Sequence, residues 1–283
     1  MNAHLDQLRR SYAEELRHVA FIENEAVVSA FATVAREHFL MPGPWLLFTE
    51  TAGQWQSRKT EDDDPRHLYR NVVVSIFSEK LLNNGLPSLW ASLFDKILPS
   101  PGEHVFQIGA GTGYYTAILA ALVGETGRVT AVEIDPEVAP HARVNLAELA
   151  PVTFVEGDGA IYDPGPFDVL VVCAGVTHPL PLWFERLRDG GRALIPLSVQ
   201  VSGMTAGSIL RLERHGAEMQ ASFLSPVMIY PCAGGRDPIH EAALAEALRL
   251  RGAAIGAVRR LRREAHAPSA ACWFHTESFC LSG

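Results

Sequence analysis

The chain has 283 residues, of which 48% are hydrophobic and 20% are charged, and these proportions are typical of a globular protein rather than a disordered one. Its formal net charge is −8, which disfavours a nucleic-acid partner because such proteins need a basic stripe. The sequence holds no run of about 18 apolar residues, so no membrane partner is expected, and its four cysteines are too few for a disulfide framework, which favours a cytoplasmic location.

The first region, residues 1–99, is predicted to be mainly helical and to lie on the substrate side of the protein. Apolar residues recur at helical spacing within residues 26–39 and 87–98, as they do near the N-terminus. Between them, the polar residues 54–66 include three consecutive aspartates and predict an exposed loop. The apolar residues that recur at helical spacing near the N-terminus are Leu5, Leu8, Tyr12, Leu16 and Val19.

The second region, residues 100–232, alternates short apolar strands with helices. This alternation is typical of a doubly wound α/β sheet of the Rossmann type, built from right-handed crossovers. The run 169–174 is apolar throughout, as expected of a strand that a parallel sheet buries on both faces. The other strands are predicted at 104–108, 128–133, 152–156 and 192–197, and the helices at 114–123, 136–149 and 182–187.

The third region, residues 233–283, is predicted to be a helical extension. Asp237 and Pro238 open one helix, and a second, basic helix continues to about Glu264. A final strand is expected within residues 272–280. The extension is expected either to cover a substrate crevice or to form the interface of a possible homodimer. The basic residues interpreted as a solvated helix face are Arg259, Arg260, Arg262 and Arg263. The aromatic residues expected to be buried are Trp273, Phe274 and Phe279.

A glycine-rich loop joins the first strand of the second region to its helix. Gly109, Gly111 and Gly113 allow the backbone to turn tightly and to approach a ligand, and the helix that follows directs its first N–H groups towards that ligand. The dinucleotide pattern Gly-x-Gly-x-x-Gly is not met, because Tyr114 occupies its last position. The spacing therefore favours a cofactor without a pyrophosphate, and it suits the amino-acid part and the ribose of S-adenosylmethionine.

Two acidic residues follow at the ends of the next two predicted strands. Glu133 lies 20 residues after Gly113 (133 − 113), where an acid accepts hydrogen bonds from ribose hydroxyls. Asp158 stands beside Gly159 after the third strand, where an acid can receive the adenine amino group. Because the carboxyl ends of parallel strands meet at one crevice, the glycine loop and both acids are expected to converge on one cofactor.

Five segments of the chain follow one another in a recognisable order. They are Ala35-Arg-Glu-His-Phe39, Gln107-Ile-Gly-Ala-Gly-Thr-Gly-Tyr114, Gly157-Asp-Gly159, Phe167-Asp-Val-Leu-Val-Val-Cys-Ala174 and Asp189-Gly-Gly-Arg-Ala-Leu-Ile-Pro196. Their order resembles that of the class I S-adenosylmethionine-dependent methyltransferases, and more narrowly that of the protein-L-isoaspartate O-methyltransferase family. The resemblance covers roughly residues 31–231 and leaves the first helix and the last segment unexplained.

The resemblance implies an enzyme that converts S-adenosylmethionine to S-adenosylhomocysteine, and it assigns roles to residues. The three glycines of the loop would line the methionine end of the cofactor, Glu133 would bind the ribose, and Asp158 would lie near the adenine. Residues 173–178 would face the substrate. The remaining residues expected to line the cofactor are Gln107, Ala110, Thr112, Tyr114, Ile134, Gly159 and Cys173.

The chain departs from that family at two positions. Gln107 stands where the family has an acid before its Ile-Gly pair, and an amide cannot form an ion pair with the cofactor's ammonium group. Asn83-Asn-Gly-Leu-Pro87 is the best match to the family's Thr-Ile-Ser-x-Pro segment, and it places Gly85 where the serine would be. These departures predict a specialised peptide or small-molecule acceptor.

Three residues are candidates for catalysis. His178 follows the fourth strand of the second region, and its ordinary pKa near 6.5 suits a general base. Asn83 and Asn84 could donate hydrogen bonds to an anionic acceptor. No metal site is predicted, because the cysteines form no Cys-x-x-Cys pair and none lies beside a histidine at the usual zinc-ligand spacing.

Three functions remain open at this point. The first is O-methylation of a carboxylate in a peptide or a small metabolite, which needs no base because a carboxylate is ionised near pH 7. The second is N-methylation or hydroxyl O-methylation of a natural product, with His178 as the base. The third is a module that binds S-adenosylmethionine without catalysis, which the departures at Gln107 and Gly85 keep open.

Overall fold

The computed structural model describes residues 3–51, 53–80, 82–201 and 204–283. The chain divides into two compact units, each assembled from three separate stretches of sequence. The first unit comprises Met1–Gly102, Ala110–Val129 and Asp135–Phe154. The second unit comprises Glu103–Gly109, Thr130–Ile134 and Val155–Gly283.

The helices of the first unit follow the predicted apolar periodicity. They are α1 (Ala3–Ala20), α2 (Glu25–Thr33), α3 (Pro87–Ile97), α4 (Tyr114–Val123) and α5 (Ala139–Leu146). Tyr12 and Leu16 of α1 are buried, as their spacing predicts. The N-terminus of α2 is capped by Asn24, whose side-chain oxygen accepts a hydrogen bond from the Ala26 N–H at 2.9 Å.

The first unit also contains an antiparallel sheet, which the prediction of a mainly helical region did not include. Its strands are β1 (Leu46–Thr51), β2 (Gln54–Lys59), β3 (Val73–Phe77) and β4 (Leu82–Asn83), in the order β2-β1-β3-β4. The described side chains of β2 are exposed, so this segment carries no apolar signal, and it is a strand because its backbone pairs with β1. Most of residues 54–66 are exposed as predicted, but Thr60 is buried, and the predicted loop is limited to residues 60–64 because Gln54–Lys59 form a strand.

A ten-stranded sheet has the order β13-β14-β12-β11-β10-β9-β8-β5-β6-β7. Strand β5 pairs with β8 in parallel, and β8 pairs with β9 in parallel, which confirms the predicted α/β class. From β9 onward the pairs are antiparallel. The first seven of these strands in chain order are β5 (His104–Ile108), β6 (Arg128–Glu133), β7 (Val152–Glu156), β8 (Phe167–Val172), β9 (Leu187–Val201), β10 (Met204–His215) and β11 (Glu218–Ile229).

The C-terminal extension is one helix followed by three strands, so the second helix predicted there was wrong. The elements are α7 (Pro238–Arg251), β12 (Arg260–Arg262), β13 (Cys272–His275) and β14 (Cys280–Ser282). Asp237 caps α7 as predicted, since its side chain accepts a hydrogen bond from the His240 N–H. Strand β12 alternates exposed Arg260 with buried Leu261, but three residues are too few to reveal a strand period in the sequence.

The core of the second unit extends from the parallel strands to the last hairpin. Phe106 and Phe167 belong to the same buried cluster as Trp183, which lies on the short helix α6 (Pro181–Arg186). The predicted burial of the C-terminal aromatic residues is confirmed, since Trp273, Phe274 and Phe279 are at most 4% exposed. Across the described residues, none of the helices combines the length and apolarity needed to cross a membrane.

Candidate functional site

The strand order reverses at β5, which makes the carboxyl ends of β5 and β8 a switch point of the sheet. Gln107 of β5 is in register with Val171 of β8, and Ile108 with Val172. The chain therefore leaves these two strands side by side, at Gly109 and Cys173. In open α/β sheets, ligands bind outside the carboxyl ends of strands at such a reversal.

Gln107, Gly109 and Cys173 form a close group at this point. The N–H of Gly109 donates to the carbonyl oxygen of Val132 at 2.9 Å, and a Cβ on Gly109 would lie 3.5 Å from that of Cys173. The Gln107 amide lies 3.6 Å from the Cys173 sulfur, and the glutamine is fully buried. Burial raises the pKa of the Cys173 thiol to about 12, so this cysteine is a neutral thiol near pH 7 rather than a reactive thiolate.

Glu133 ends the neighbouring strand β6 with its side chain largely buried. One carboxylate oxygen accepts a hydrogen bond from the N–H of Ile134 at 3.0 Å, and the backbone carbonyl accepts one from Gly157 at 2.9 Å. Glu133 is 8% exposed, whereas the next residue, Ile134, is 46% exposed. The strand end and the Gly157 loop thus hold an acid in a restricted orientation, which is the condition for specific recognition of hydroxyl groups.

Asp158 is fixed by its own loop and closely covered by a later one. Its carboxylate accepts a hydrogen bond from the Ala160 N–H at 2.8 Å. Gly159 packs on Ile108, where a Cβ would lie 2.7 Å from the isoleucine side chain. Gly234, in a short 3-10 turn at Ala233–Gly235, packs so closely that a Cβ there would collide with the Asp158 carboxylate. The role of Gly234 was missed, because nothing in the sequence links residue 234 to residue 158.

The rest of the glycine loop belongs to the first unit. Gly111 has φ of +58°, and nothing lies within 4 Å of where its Cβ would be. Gly113 has φ of +102°, and a Cβ there would lie 2.9 Å from Leu146. The carbonyl of Thr112 accepts a hydrogen bond from the Asn145 side chain at 2.9 Å. Ala110 is 6% exposed and its carbonyl accepts from the Gly113 N–H. Ala110 and Gly113 are therefore packed against the protein, whereas the space where a Cβ of Gly111 would lie is unfilled.

The side chain of Tyr114 lies within the core of the first unit. Its ring packs against Phe31 and Phe39 at centroid distances of 6.2 and 6.0 Å, and its hydroxyl lies 3.5 Å from that of Tyr12. The Arg36 guanidinium lies 5.8 Å from the ring centroid. The Tyr114 side chain therefore belongs to this core, and its backbone N–H lies in the first turn of α4.

Asn83 and Asn84 both hold the segment that precedes α3. Asn83 accepts a hydrogen bond from the Gly85 N–H at 2.9 Å. The Asn84 side-chain oxygen accepts from Arg36 and from the Val74 N–H, both at 3.1 Å, while its side-chain nitrogen is buried without a hydrogen-bond partner among the described residues. Asn84 is thus oriented by the protein, and both N–H groups of its buried side-chain nitrogen are unused among the described residues.

His178 lies in the second unit, partly buried, within a stack of rings. Its imidazole packs on that of His240 at a centroid distance of 4.1 Å, and His240 packs on Phe279 at 6.3 Å. Burial lowers the pKa of His178, the charge of His240 lowers it further, and Asp237 opposes both. His178 is therefore neutral near pH 7. Sequence reasoning missed His240 as its neighbour, because the two lie 62 positions apart (240 − 178).

Four potential metal ligands meet elsewhere in the second unit, although no metal site was predicted from the sequence. The ligand atoms of His266, Cys272, His275 and Cys280 all lie within 4.8 Å of one another. Cys272 and His275 are separated by two residues and His275 and Cys280 by four, which are spacings found between zinc ligands, so a signal that is present in the sequence was overlooked.

The family model described as protein-L-isoaspartate(D-aspartate) O-methyltransferase (PCMT) matches residues 58–235. A protein-L-isoaspartate O-methyltransferase of Aeropyrum pernix is 32% identical over 196 residues, which cover 68% of this chain and 67% of the relative. The same enzyme of Thermotoga maritima is 29% identical over 185 residues, covering 63% of this chain and 52% of the relative, so the match spans about half of that protein.

A solved structure from Plasmodium falciparum shares the fold. It is described as a proposed protein-L-isoaspartate O-methyltransferase in complex with S-adenosyl-L-homocysteine, and its TM-score with this chain is 0.60. The alignment covers 80% of this chain and 98% of that one, at 13% sequence identity. At this level of identity the likeness concerns the arrangement of strands and helices.

Proposed function

The chain belongs to the protein-L-isoaspartate(D-aspartate) O-methyltransferase family, and we propose that it transfers the methyl group of S-adenosylmethionine to a carboxylate of a peptide. One observation carries the proposal beyond the family relationship. Gly109, Glu133 and Asp158 lie at the carboxyl ends of adjacent strands in the order β5-β6-β7, beside the reversal of the sheet. That is the position where a doubly wound sheet binds a nucleoside-containing cofactor.

The residues present fit S-adenosylmethionine. The open side of Gly111 leaves room for a ligand to approach the backbone, and the first turn of α4 supplies N–H donors. The restrained carboxylate of Glu133 suits the two ribose hydroxyls, and Asp158 suits the adenine amino group. We assign supporting contacts with the cofactor to Gln107, Ala110, Thr112, the Tyr114 backbone, Ile134, Gly159 and Cys173.

The chemistry asks little of the protein beyond binding and positioning. S-adenosylmethionine supplies a methyl group on a cationic sulfonium, which is displaced in line by the acceptor oxygen. An acceptor carboxylate is already ionised near neutral pH, so the chain has to orient it and exclude water rather than remove a proton. Asn84, held by Arg36 and the Val74 N–H, and Asn83, which holds the next turn, fix the segment before α3 that we propose to lie beside the acceptor.

The acceptor is proposed to be more specialised than isoaspartyl sites in proteins at large. Gly85, which stands where the family has a serine, has φ of +73°, and a Cβ there would lie 2.6 Å from the Trp90 indole nitrogen. The backbone at this point is therefore incompatible with a serine side chain, and the hydroxyl that the family places there has no substitute at residue 85. A carboxylate acceptor recognised by contacts other than a hydroxyl at residue 85 fits this arrangement.

The first test is calorimetric titration with S-adenosylmethionine, S-adenosylhomocysteine and NAD. We expect the first two to bind and NAD not to bind. Glu133→Ala removes a charged hydrogen-bond acceptor worth about 1.5–3 kcal/mol, and so should weaken binding roughly ten- to hundredfold. Glu218→Gln, an exposed acid at the start of β11, is the matched control and should leave affinity unchanged. A well-folded protein that binds neither sulfur compound would refute the proposal.

The second test follows transfer of a labelled methyl group to peptides. A peptide carrying isoaspartate is compared with the same sequence carrying aspartate, and with a version whose side-chain and terminal carboxyls are amidated. Carboxyl methylation predicts label that is released by mild base and is absent from the amidated peptide. Base-stable label would instead indicate methylation of nitrogen or of a hydroxyl group, and would overturn the assignment of the acceptor while leaving the cofactor intact.

A further inference from the structure

The last two strands bring two cysteines and a histidine to the same place. Strands β13 and β14 pair antiparallel, and His275 lies directly opposite Cys280. Cys272 and His275 are three positions apart, so in a regular strand their side chains would point to opposite faces. The register shifts between Cys272 and Phe274, where the strand contains one extra residue, and this shift returns both side chains to the same face.

The fourth residue comes from the segment between β12 and β13. The Nδ1 atom of His266 lies 3.0 Å from the carbonyl oxygen of Glu264. A carbonyl can only accept, so Nδ1 carries the hydrogen and the other ring nitrogen, Nε2, has a free lone pair in the neutral ring. That Nε2 lies 3.6 Å from the sulfur of Cys272. Metal-bound histidines are typically oriented in this way, with the second nitrogen donating to a carbonyl.

The environment of the other three residues also suits a metal. The Nδ1 atom of His275 is buried and has no hydrogen-bond partner among the described residues, which leaves a polar atom unsatisfied. The N–H of Ser269 points at the Cys272 sulfur from 3.3 Å, as is favourable for a thiolate. Cys280 is fully buried and Cys272 is 1% exposed, so the sulfurs are shielded from water.

We propose that His266, Cys272, His275 and Cys280 form a structural Zn²⁺ site. A tetrahedral zinc with bonds of about 2.0–2.3 Å separates its ligand atoms by about 3.3–3.8 Å. The 3.6 Å between Cys272 and His266 already matches, and the full set, within 4.8 Å, needs a contraction on the order of 1 Å. Binding displaces the two thiol protons, and two thiolates with two neutral imidazoles give a site of zero net charge.

Four protein ligands leave no open position, so the site is structural rather than catalytic. It would tie the irregular segment 263–271 to the hairpin β13–β14. That hairpin is in turn attached to α7, because Arg251 donates to the carbonyl of Cys272 and the Trp273 indole donates to the carbonyl of Arg251 at 2.9 Å. Metal binding would therefore hold the edge of the sheet and the aromatic residues of the extension in place. The proposal is independent of the reaction that the protein catalyses.

The test is to purify the full chain without chelators and to measure its metal content by inductively coupled plasma mass spectrometry. We expect one zinc per chain in the wild type and close to none in a Cys272→Ser/Cys280→Ser variant. Cys232→Ser changes a buried cysteine outside the cluster and should retain the metal, as should His18→Ala, which changes an exposed histidine of α1. Loss of zinc in the control variants as well would refute the assignment.

A spectroscopic measurement keeps the test valid if the double variant does not fold. The wild-type protein, stripped of metal under reducing conditions and titrated with Co²⁺, should develop the visible bands of tetrahedral cobalt and a sulfur-to-cobalt charge-transfer band at one equivalent. Single His266→Ala should weaken and shift these bands, and removal of zinc should lower the Tm. A folded wild type without zinc or cobalt bands, or with a disulfide between Cys272 and Cys280 when purified anaerobically, would overturn the proposal.

Discussion

The imidazole of His178 stacks on that of His240, with centroids 4.1 Å apart and ring planes inclined by 16°. The pair is anchored by Asp237, which accepts hydrogen bonds from both the backbone and the ring of His240 at 2.8 Å. Burial is the main reason that the pKa of His178 lies below 6.5, and the neighbouring His240 adds to it. Protonation of His178 is thus harder in the folded protein than in the unfolded chain.

This relationship predicts how stability depends on pH. Below about pH 6.5 the unfolded chain binds a proton at residue 178 before the folded protein does, so stability is fully present above that pH and falls as the pH falls towards the folded-state pKa. Other groups titrate in the same pH range, so the prediction concerns the difference in pH dependence between the wild type and a variant at residue 178. His178→Asn should reduce the loss of urea midpoint between about pH 7.5 and about pH 5.5.

The matched control is His18→Gln, which alters an exposed histidine on α1 and should leave the pH dependence as in the wild type. An NMR titration of the imidazole resonances provides a direct measure of the same quantity. If the wild type and His178→Asn lost stability in parallel, the coupling between burial and protonation at residue 178 would be refuted.

The last two glycines of the loop, Gly111 and Gly113, are predicted to lose different amounts of folding stability when each is replaced by alanine. Both have positive φ, which costs an alanine about 1–2 kcal/mol of folding stability. At Gly113 the new Cβ would also lie 2.9 Å from Leu146, and the crowding adds about 1–3 kcal/mol. At Gly111 the space is empty, so the variant should fold with only the smaller loss.

Gly111→Ala, which costs less folding stability than Gly113→Ala, should nevertheless weaken cofactor binding. If the cofactor approaches the open side of this residue, Gly111→Ala places a methyl group in its path and weakens S-adenosylmethionine binding by roughly tenfold or more. Gly124→Ala, at the other end of α4, has φ of +66° and ψ of −173°, a region essentially restricted to glycine, so it strains the backbone at least as much with empty space around its Cβ and shows what strain alone does to binding. Urea unfolding and calorimetric titration measure the two effects, and equal affinities for the Gly111 and Gly124 variants would contradict the proposed contact.

The parts of the molecule that could be predicted from sequence are those where the local pattern determines the structure. The buried strand at β8 is a continuous apolar run, and the cap at Asp237 depends only on residues within one turn. Strand β2 escaped prediction because its side chains are exposed and its pairing with β1 is a backbone property. Strand β12 escaped because only Leu261 is buried there.

The site residues also divide into those that a local sequence pattern predicts and those that depend on tertiary structure. The glycine loop and Glu133 were found because a fixed spacing along a β-α-β unit carries their chemistry. The spacing of Cys272, His275 and Cys280 was present in the sequence and was overlooked, but the meeting of the four side chains also depends on an extra residue in β13 and on the closure of a long irregular segment. Neither feature has a signature in the sequence, and the same holds for Gly234, which contacts Asp158 only through tertiary packing.

The serine that the family places at residue 85 should not be restorable by one substitution. Gly85→Ser introduces a side chain at φ of +73° and within 2.6 Å of the Trp90 indole nitrogen, so we expect a loss of stability of about 2–5 kcal/mol. Activity towards an isoaspartyl peptide should not increase. Gly85→Ser combined with Trp90→Phe relieves the contact with the indole nitrogen and separates crowding from backbone strain. An increase in kcat/KM for the isoaspartyl peptide in either variant would contradict this prediction.

Gln107 offers the sharpest test of the cofactor's orientation. This residue is fully buried, so Gln107→Glu places a carboxylate where solvation is lost, and the ligand-free variant should lose about 3–5 kcal/mol of stability. If the ammonium group of S-adenosylmethionine lies nearby, it neutralises that charge, and the ligand should raise the Tm of the variant more than that of the wild type. Thermal melts with and without ligand measure this difference. Methylthioadenosine, which lacks the amino-acid part, should give no such excess, and Gln107→Met should show none with either ligand. An equal excess with both ligands would mean that residue 107 lies away from the methionine end of the cofactor.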